Sequence, residues 1–377
     1  MWYHPFLTYF PADILLMGFI VVTAIQLFWY WFFFSRLAFY RKKKVPGTKE
    51  PVSIVICAKN EYENLRRNLP LILDQDYPDY EVVLVNDGSE DDTAYLLNAL
   101  SKTHKHLKVV TIRESVNFFS GKKFPLSIGI KSAKNDIILL TDADCVPESN
   151  KWIEQMQSGY NEGVEIILGY GKYEKKEGLL NMLIRFDTIH IAVQYLSFAL
   201  AGIAYMGVGR NLSYRKKMFY RMNGFQSHYM LKSGDDDLFI NQSANSRNVR
   251  IEISYESQTV SLPKLTFKEW FAQKKRHLST STHYKFRHKL LLGLYYFTQV
   301  SFYILAVLLF CFMDNFIIFS GLILLRLASQ IFIFKKCLHR LNEKHLLLTL
   351  PLIEIILLIL NPFMALAKFV NKENKWK

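Results

Sequence analysis

Apolar positions follow two different rhythms along this chain. From Ala12 to Phe34 the sequence carries no charge after Asp13, and similar runs occupy about 290–311, 315–334 and 346–367. Each is long enough to cross a bilayer core of roughly 30 Å. Between the first run and the others the pattern changes to short apolar bursts closed by polar turns. Val52–Cys57, Tyr80–Val85, Lys108–Ile112 and the segment from Asp136 to Thr141 read as buried strands. Helical patterns separate them, one over Glu63–Gln75 closed by Tyr77-Pro78, another opened by Asp91-Asp92-Thr93 with acids at its positive end. This alternation predicts an α/β domain with a Rossmann-like, mostly parallel sheet.

Further along, 164–173 reads as one more strand. A largely apolar helix over 178–206 is interrupted by Arg185, Asp187, His190 and Gln194, charges that rule out a clean span, and it either touches the membrane surface or, as favoured here, lies in the core. Leu265–His288 interleaves Phe267, Trp270, Phe271 and Phe286 with Lys268, Lys274, Lys275, Arg276 and Arg287, the composition of a helix lying among lipid headgroups. Four regions follow: an N-terminal transmembrane anchor with its basic flank (1–45), a catalytic domain (46–262), an interfacial segment (263–289) and a C-terminal transmembrane region (290–377).

Composition supports this division. The 377 residues are half hydrophobic and 15% aromatic, and the excess sits at the two ends. The first run is too long for a signal peptide and lacks a small-residue cleavage site, so it reads as a retained anchor. Net charge is +14, with Arg36 and Arg41-Lys42-Lys43-Lys44 directly after that run. The positive-inside rule then puts the catalytic domain in the cytoplasm, on the inner face of the cell membrane. Because the charge hugs membrane boundaries, attraction to anionic headgroups explains it better than nucleic-acid binding. Cys57, Cys145, Cys311 and Cys337 have no paired spacing, which argues against disulfides and zinc. Met313-Asp314-Asn315 reads as a turn between spans, and Lys335-Lys336 with His339-Arg340 marks a return to the cytoplasmic side. The basic tail Lys368–Lys377 conflicts with a simple fourth crossing, which a break at Asn361-Pro362 would turn into a hairpin.

Two acidic clusters carry the chemistry. Asp142-Ala143-Asp144 follows a predicted strand, which would deliver both carboxylates to the carboxyl edge of the sheet. That edge is where open α/β folds bind ligands, and a divalent cation needs hard oxygens there. One of the two acids could instead cap a following helix. Asp235-Asp236-Asp237, ahead of Leu238-Phe239-Ile240, opens a helix and can supply a proton acceptor, although a favourable helix dipole would by itself account for one or two of these acids. Asp87 ends the second strand, in either a binding crevice or a tight Asp87-Gly88 turn, and Ala58 and Glu61 end the first. Lys122, in Gly121-Lys122-Lys123 before a helical stretch, is placed to meet an anion or to be solvated.

The ordered series Val52–Glu61, Asn86-Asp87-Gly88-Ser89, Asp142-Ala143-Asp144, Gly209-Arg210-Asn211-Leu212-Ser213-Tyr214-Arg215, Gly234-Asp235-Asp236-Asp237-Leu238 and Gln273-Lys274-Lys275-Arg276 resembles the family 2 glycosyltransferases. It is most similar to their membrane-integrated branch, with cellulose and hyaluronan synthases and lipid-acceptor enzymes. The likeness covers roughly residues 50–280. It implies a GT-A fold and a nucleotide-diphospho-sugar donor. By that likeness Ala58 and Glu61 border the nucleobase, Asp87 contacts base or ribose, and Lys122 lies near the donor phosphates. Asp144 would coordinate Mg²⁺ or Mn²⁺, with Asp142 supporting the metal and the donor. Asp236 would be the catalytic base and Asp235 would shape its pocket. Gln273 and Arg276, at i and i+3 on one helix face, would reach the diphosphate and acceptor region. His277 stands where processive relatives carry Trp, and Asn223-Gly224-Phe225 stands where many carry Gly-Gly-Phe.

These readings converge on a membrane-bound inverting transferase acting on a lipid-linked or glycan acceptor, with limited transfer favoured over processive secretion. The residues do not set an oligomeric state. Two rivals are a channel or transporter, for which Arg326 and Glu354 are the ionisable residues inside the runs, and a non-catalytic nucleotide-binding protein.

Overall fold

A computed structural model describes residues 6–42, 49–113, 121–312 and 316–370. The Lys43-Lys44 pair, the Pro46-Gly47 linker, the Met313-Asp314-Asn315 turn and residues 371–377 of the basic tail lie outside them. The chain divides into two compact units, Met1–Tyr40 with Lys285–Pro362, and Arg41–Tyr284 with Phe363–Lys377.

The second unit is built on strands. β1 (Val52–Ala58), β2 (Tyr80–Asp87), β3 (Leu107–Ile112) and β4 (Ile137–Leu140) pair in parallel in the order β3-β2-β1-β4. Every residue of β1 is buried, because helices cover both faces of a parallel sheet and its strands read as continuous apolar runs. On one side, Ile54, Leu84 and Leu139 pack with Leu69, Trp152 and Met156. On the other, the helix Lys123–Ser132 approaches so closely that a Cβ at Gly129 would sit 2.6 Å from Val55 Cγ1 and 2.9 Å from Val85 Cγ2.

Short strands complete the unit. β5 (Cys145–Pro147), β6 (Ile166–Leu168), β7 (Gly171–Tyr173), β8 (Leu212–Arg215), β9 (Val249–Ile251) and β10 (Thr259–Ser261) extend the main sheet to β3-β2-β1-β4-β8-β6-β9 and form a second sheet, β5-β10-β7. β8 runs antiparallel to both β4 and β6. The single strand expected at 164–173 is therefore two strands in different sheets. The break falls at Gly169-Tyr170, where Tyr195 Oη donates to the Gly169 carbonyl at 2.6 Å and Asn211 Nδ2 donates to the Tyr170 carbonyl at 3.0 Å. A side chain at position 169 would start 2.4 Å from Asn211 Cγ.

The helix expected over 178–206 is Leu179–Leu200 and is mostly buried. Its Asp187 receives both contacts of the Lys274 ammonium, each at 2.7 Å. Lys274 lies on the helix Phe267–Leu278, started by a reciprocal Thr266–Glu269 capping box. Lys274 and Lys275 are both buried. The expectation that these two lysines face headgroups is corrected: both are buried, and the charge complement of Lys274 is the core carboxylate of Asp187.

In the first unit, the helix Phe6–Phe28 continues through a wider π turn, Trp29–Phe34, into Ser35–Ala38. Helices Phe286–Phe312, Phe316–Arg340 and Leu350–Val370 follow. Among the described residues, Asp13–Ala38, Phe286–Cys311 and Ile317–Arg340 are long and apolar enough to cross a membrane. The fourth run forms the helix Leu350–Val370, with Leu350–Met364 as its described apolar part, so three hydrophobic helices follow the catalytic domain as expected, two of them long and apolar enough to cross. Pro362 lies inside the last helix, which does not break at Asn361-Pro362. Arg326 and Glu354 pair with each other at 2.9 Å, and Gln330 and Tyr303 also donate to the Glu354 carboxylate, at 2.8 and 2.7 Å. Each charge of this pair is met by the other inside the helix bundle, which does not favour the channel or transporter reading.

Candidate active site

The parallel register places the expected site residues at one edge. Ala58 ends β1 opposite Asn86, and Asn86 sits opposite Thr111 of β3. Asp87, one residue on, is buried at 2% exposure. Asn60 turns the chain with a positive φ of 55°, a conformation Asn tolerates. Its backbone N–H donates to Ser89 Oγ at 3.0 Å, while Glu90 N–H donates to Asn60 Oδ1 at 2.8 Å. These bonds stitch the loop after β1 to the loop after β2. They leave a groove of about 360 Å³ lined by Asn60, Glu61, Tyr62, Asn64, Asp91 and Asp92. The Glu61 carboxylate accepts from Asn64 Nδ2 at 2.6 Å, and burial raises its pKa above the ordinary range, with the Asp144 charge adding to the shift.

Asp142 and Asp144 leave the end of β4. Their carboxylate oxygens and Cys145 Sγ lie within 4.8 Å of one another. The thiol is 2.9 Å from Ser261 Oγ, and burial holds its pKa far above the ordinary thiol value, so it stays protonated. Hard oxygen donors remain. Burial works against ionisation of Asp142, but the ion pair with Lys122 overrides it and holds the carboxyl below its usual range, with help from Arg210 and Arg276. Among the described residues Asp144 has no such ion pair, and burial followed by the Asp142 charge raises its pKa. A carboxylate that would rather bind a proton than stand alone suits a hard divalent cation, and the donor set fits Mg²⁺ or Mn²⁺.

The second cluster divides its work among three acids. Asp236 is the N-cap of the helix Asp237–Ser243; its Oδ1 accepts from Asp237 N–H and its Oδ2 from Gly209 N–H, both at 2.7 Å. Burial, then the charges of Asp235 and Asp237, push its pKa up to about 8. Asp237 faces inward, accepting from Leu238 N–H at 2.7 Å, from Tyr284 Oη at 2.8 Å and from the Thr280 hydroxyl. That is a structural anchor for the chain around 280–284. Asp235 is half-buried beside them.

The two clusters meet. The Lys122 ammonium interacts with Asp142 and Asp235 together. Gly209 donates to Asp236, while its neighbour Arg210 acts on both Asp142 and Asp144. Lys122 and Lys123 are not a solvated pair: Lys123 is buried, donates to the carbonyls of His228 at 2.6 Å and Leu231 at 2.8 Å, and burial pulls its pKa down to about 8. The Arg276 charge reaches Asp142, whereas Gln273 Nε2 donates to Tyr173 Oη at 3.1 Å. His277 is exposed.

Arg210 and Tyr173 carry no assignment from the sequence. The Arg210 guanidinium lies over the Tyr173 ring, 4.4 Å from its centroid. Arg210 stood in plain view within Gly209-Arg210-Asn211, but nothing in that triplet tells which of its side chains turns inward. Asn211 does so, held by Trp152 Nε1 at 3.1 Å and by the Ser257 carbonyl at 2.8 Å.

Residues 53–222 match the model of the family described as Glycosyl transferase family 2. A poly-beta-1,6-N-acetyl-D-glucosamine synthase of Staphylococcus epidermidis is 33% identical over 120 residues, 31% of this chain and 28% of the relative. An uncharacterized glycosyltransferase of Haemophilus influenzae is 28% identical over 134 residues, 34% of this chain and 40% of the relative. The probable glycosyltransferase YdaM of Bacillus subtilis is 26% identical over 238 residues, 60% of this chain and 54% of the relative. The chain thus spans about half or less of the length of these relatives. Among solved structures, the mannosyltransferase PcManGT from Pyrobaculum calidifontis, in complex with GDP-Man and Mn²⁺, superposes with a TM-score of 0.58 at 14% identity, covering 96% of this chain and 100% of that one. That likeness places the fold with the GT-A glycosyltransferases.

Proposed function

We propose that this protein, whose residues 53–222 match the model of the family described as Glycosyl transferase family 2, is an integral-membrane, inverting glycosyltransferase. It takes a sugar from a nucleotide-diphospho-sugar on the cytoplasmic face and passes it to a membrane-held acceptor, lipid-linked or glycan. The observation that carries this reading is the convergence of Asp142-Asp144 and Asp235-Asp236 on Lys122 and the Gly209-Arg210 turn.

Each residue then has a task. Ala58, Glu61 and Asp87 hold the nucleoside at adjacent strand ends. Lys122 and Arg276 face the anionic end of the donor, and Gln273 fixes Tyr173 beside it. Asp144, with Asp142 at its side, is the seat for Mg²⁺ or Mn²⁺, which when bound supplies Lewis-acid stabilisation of the leaving diphosphate. Asp236 takes the proton of the acceptor hydroxyl. The acceptor oxygen attacks the anomeric carbon from the face opposite the diphosphate, the bond to that diphosphate breaks, and its electron pair departs on the nucleoside diphosphate. The N–H groups of Gly209 and Asp237 hold the Asp236 carboxylate still during this transfer.

The exposed His277 offers a smaller stacking face than Trp for a growing sugar chain, which favours one or few transfers to a lipid-linked acceptor. The Staphylococcus epidermidis relative, a polymer synthase by name, supports the second reading, processive synthesis. Purified protein with native lipid extract, a nucleotide-sugar panel and Mn²⁺ or Mg²⁺ tests both. Nucleotide release that vanishes in Asp236→Asn and Asp144→Asn supports the enzyme, and product length separates the two readings. Equal release from wild type and both variants removes the assignment.

A further inference from the structure

The charges of three cations reach Asp142, and one of them, Lys122, is engaged by that carboxylate. Arg210 differs from Lys122: among the described residues no carboxylate lies within ion-pair distance of its guanidinium. A buried-side arginine without an acidic partner, next to an acid pair suited to a cation, has the electrostatic character of an anion seat.

The fold holds this arginine with unusual care. Its carbonyl accepts from Thr141 Oγ1 at 3.1 Å and from Thr259 Oγ1 at 2.9 Å, so the residue after β4 and the first residue of β10 both fix its backbone. Its stem lies against Gly171, where an added Cβ would come 2.7 Å from Cγ and 2.9 Å from Cδ. The Tyr173 ring underlies the guanidinium, and Gln273 holds the hydroxyl of that ring. The residues on either side are also pinned, Gly209 by Asp236 and Asn211 by Trp152. Rotamer freedom is removed before any ligand arrives, which lowers the cost of binding one.

Resting on the glycosyltransferase reading, we propose that Arg210 is the clamp for the terminal phosphate of the donor, the group that becomes the free end of the leaving nucleoside diphosphate. The direction follows from the layout. The nucleoside groove lies at the ends of β1 and β2, where Glu61 feels the Asp144 charge, while Arg210 acts on both acids of the pair and adjoins Gly209, which donates to Asp236. A diphosphate reaching from that groove toward the acceptor presents its distal phosphate here. Gly171 and Tyr173 shape the clamp without touching the ligand.

Calorimetric titration of the full chain in detergent with Mn²⁺ tests this, using UDP and GDP and their monophosphates as probes. Arg210→Met should weaken the bound diphosphate roughly 10- to 100-fold, the range of one charge-assisted hydrogen bond. Monophosphate affinity should stay within about threefold. Arg210→Lys should fall between, because an ammonium restores charge without the planar fork. Gly171→Ala, which keeps the arginine but displaces its stem, should reproduce the selective loss and serves if Arg210→Met does not fold. Arg250→Met, an exposed position on edge strand β9, should bind as wild type. Unchanged diphosphate affinity in Arg210→Met, or equal loss for mono- and diphosphates, overturns the clamp while leaving the transferase reading in place. Wild-type protein that binds neither diphosphate overturns both.

Discussion

Replacing Asp236 by Asn removes an ionisable group and changes almost no volume, and the structure assigns opposite signs to its effects on activity and stability. The carboxyl has a pKa pushed from 3.8 to about 8, by burial first and then by Asp235 and Asp237. A raised acid pKa means that the folded protein holds a proton the unfolded chain has released. Stability from this group is complete below pH ~4 and falls as pH rises toward about 8, at roughly 1.4 kcal/mol per pH unit. At pH 7 the span is about three units, a ceiling of roughly 4 kcal/mol. Residual solvent access lowers that ceiling, because Asp236 is only half-buried. Asn also loses one acceptor, since its amide nitrogen must face either Gly209 N–H or Asp237 N–H, at about 1 kcal/mol. The net expectation is a gain of about 1–3 kcal/mol at pH 7, a rise in melting temperature of several degrees. The advantage over wild type should widen from pH 4 to pH 8.

Activity should move the other way. Loss of the base costs about 10²–10⁴-fold in rate. In the wild type, kcat/KM should climb with unit slope to an inflection at about 8, and the residual activity of the variant should lack that limb. Thermal melts across pH, together with initial rates of nucleotide release, provide the test. A variant that keeps the limb, or whose stability difference from wild type does not depend on pH, would refute the assignment of Asp236 as a strained base.

Three further outcomes follow from other sites. Asp144→Asn should weaken Mn²⁺ binding, read by titration calorimetry or spin-resonance of free Mn²⁺, by at least tenfold while leaving the melting temperature within a few degrees. Lys274→Met strands Asp187 in the core and should cost about 3–5 kcal/mol in thermal or denaturant unfolding, whereas Lys274→Met with Asp187→Leu should recover most of it; equal losses in single and double variants would deny the pair. Arg326→Leu should lower the melting temperature in detergent more than Arg326→Leu with Glu354→Leu, because the single variant leaves a buried carboxylate without its cation.

Much of this protein was legible from its residues alone, for reasons of short range. β1, β2 and β4 are Val- and Ile-rich because both faces of a parallel sheet are covered, so each announces itself as an apolar run. The long uncharged runs register by length against a bilayer. Asp142 and Asp144 were placed because a strand and the turn after it are contiguous in sequence. What stayed hidden depends on partners far along the chain. β5, β7 and β10 are three residues each and exist through pairing with one another. The buried place of Lys274 is set by Asp187, 87 positions away. Asp235, Asp236 and Asp237 look alike in sequence, and their tasks separate only when Gly209 binds one and Thr280 and Tyr284 bind another. Arg210 owes its pose to a glycine in β7, a threonine just after β4 and another in β10. Local chemistry decides which residues can ionise, coordinate or stack. The charge each one keeps, and the group it faces, is a property of the packed molecule, because burial and counter-charge come from residues that only folding brings near.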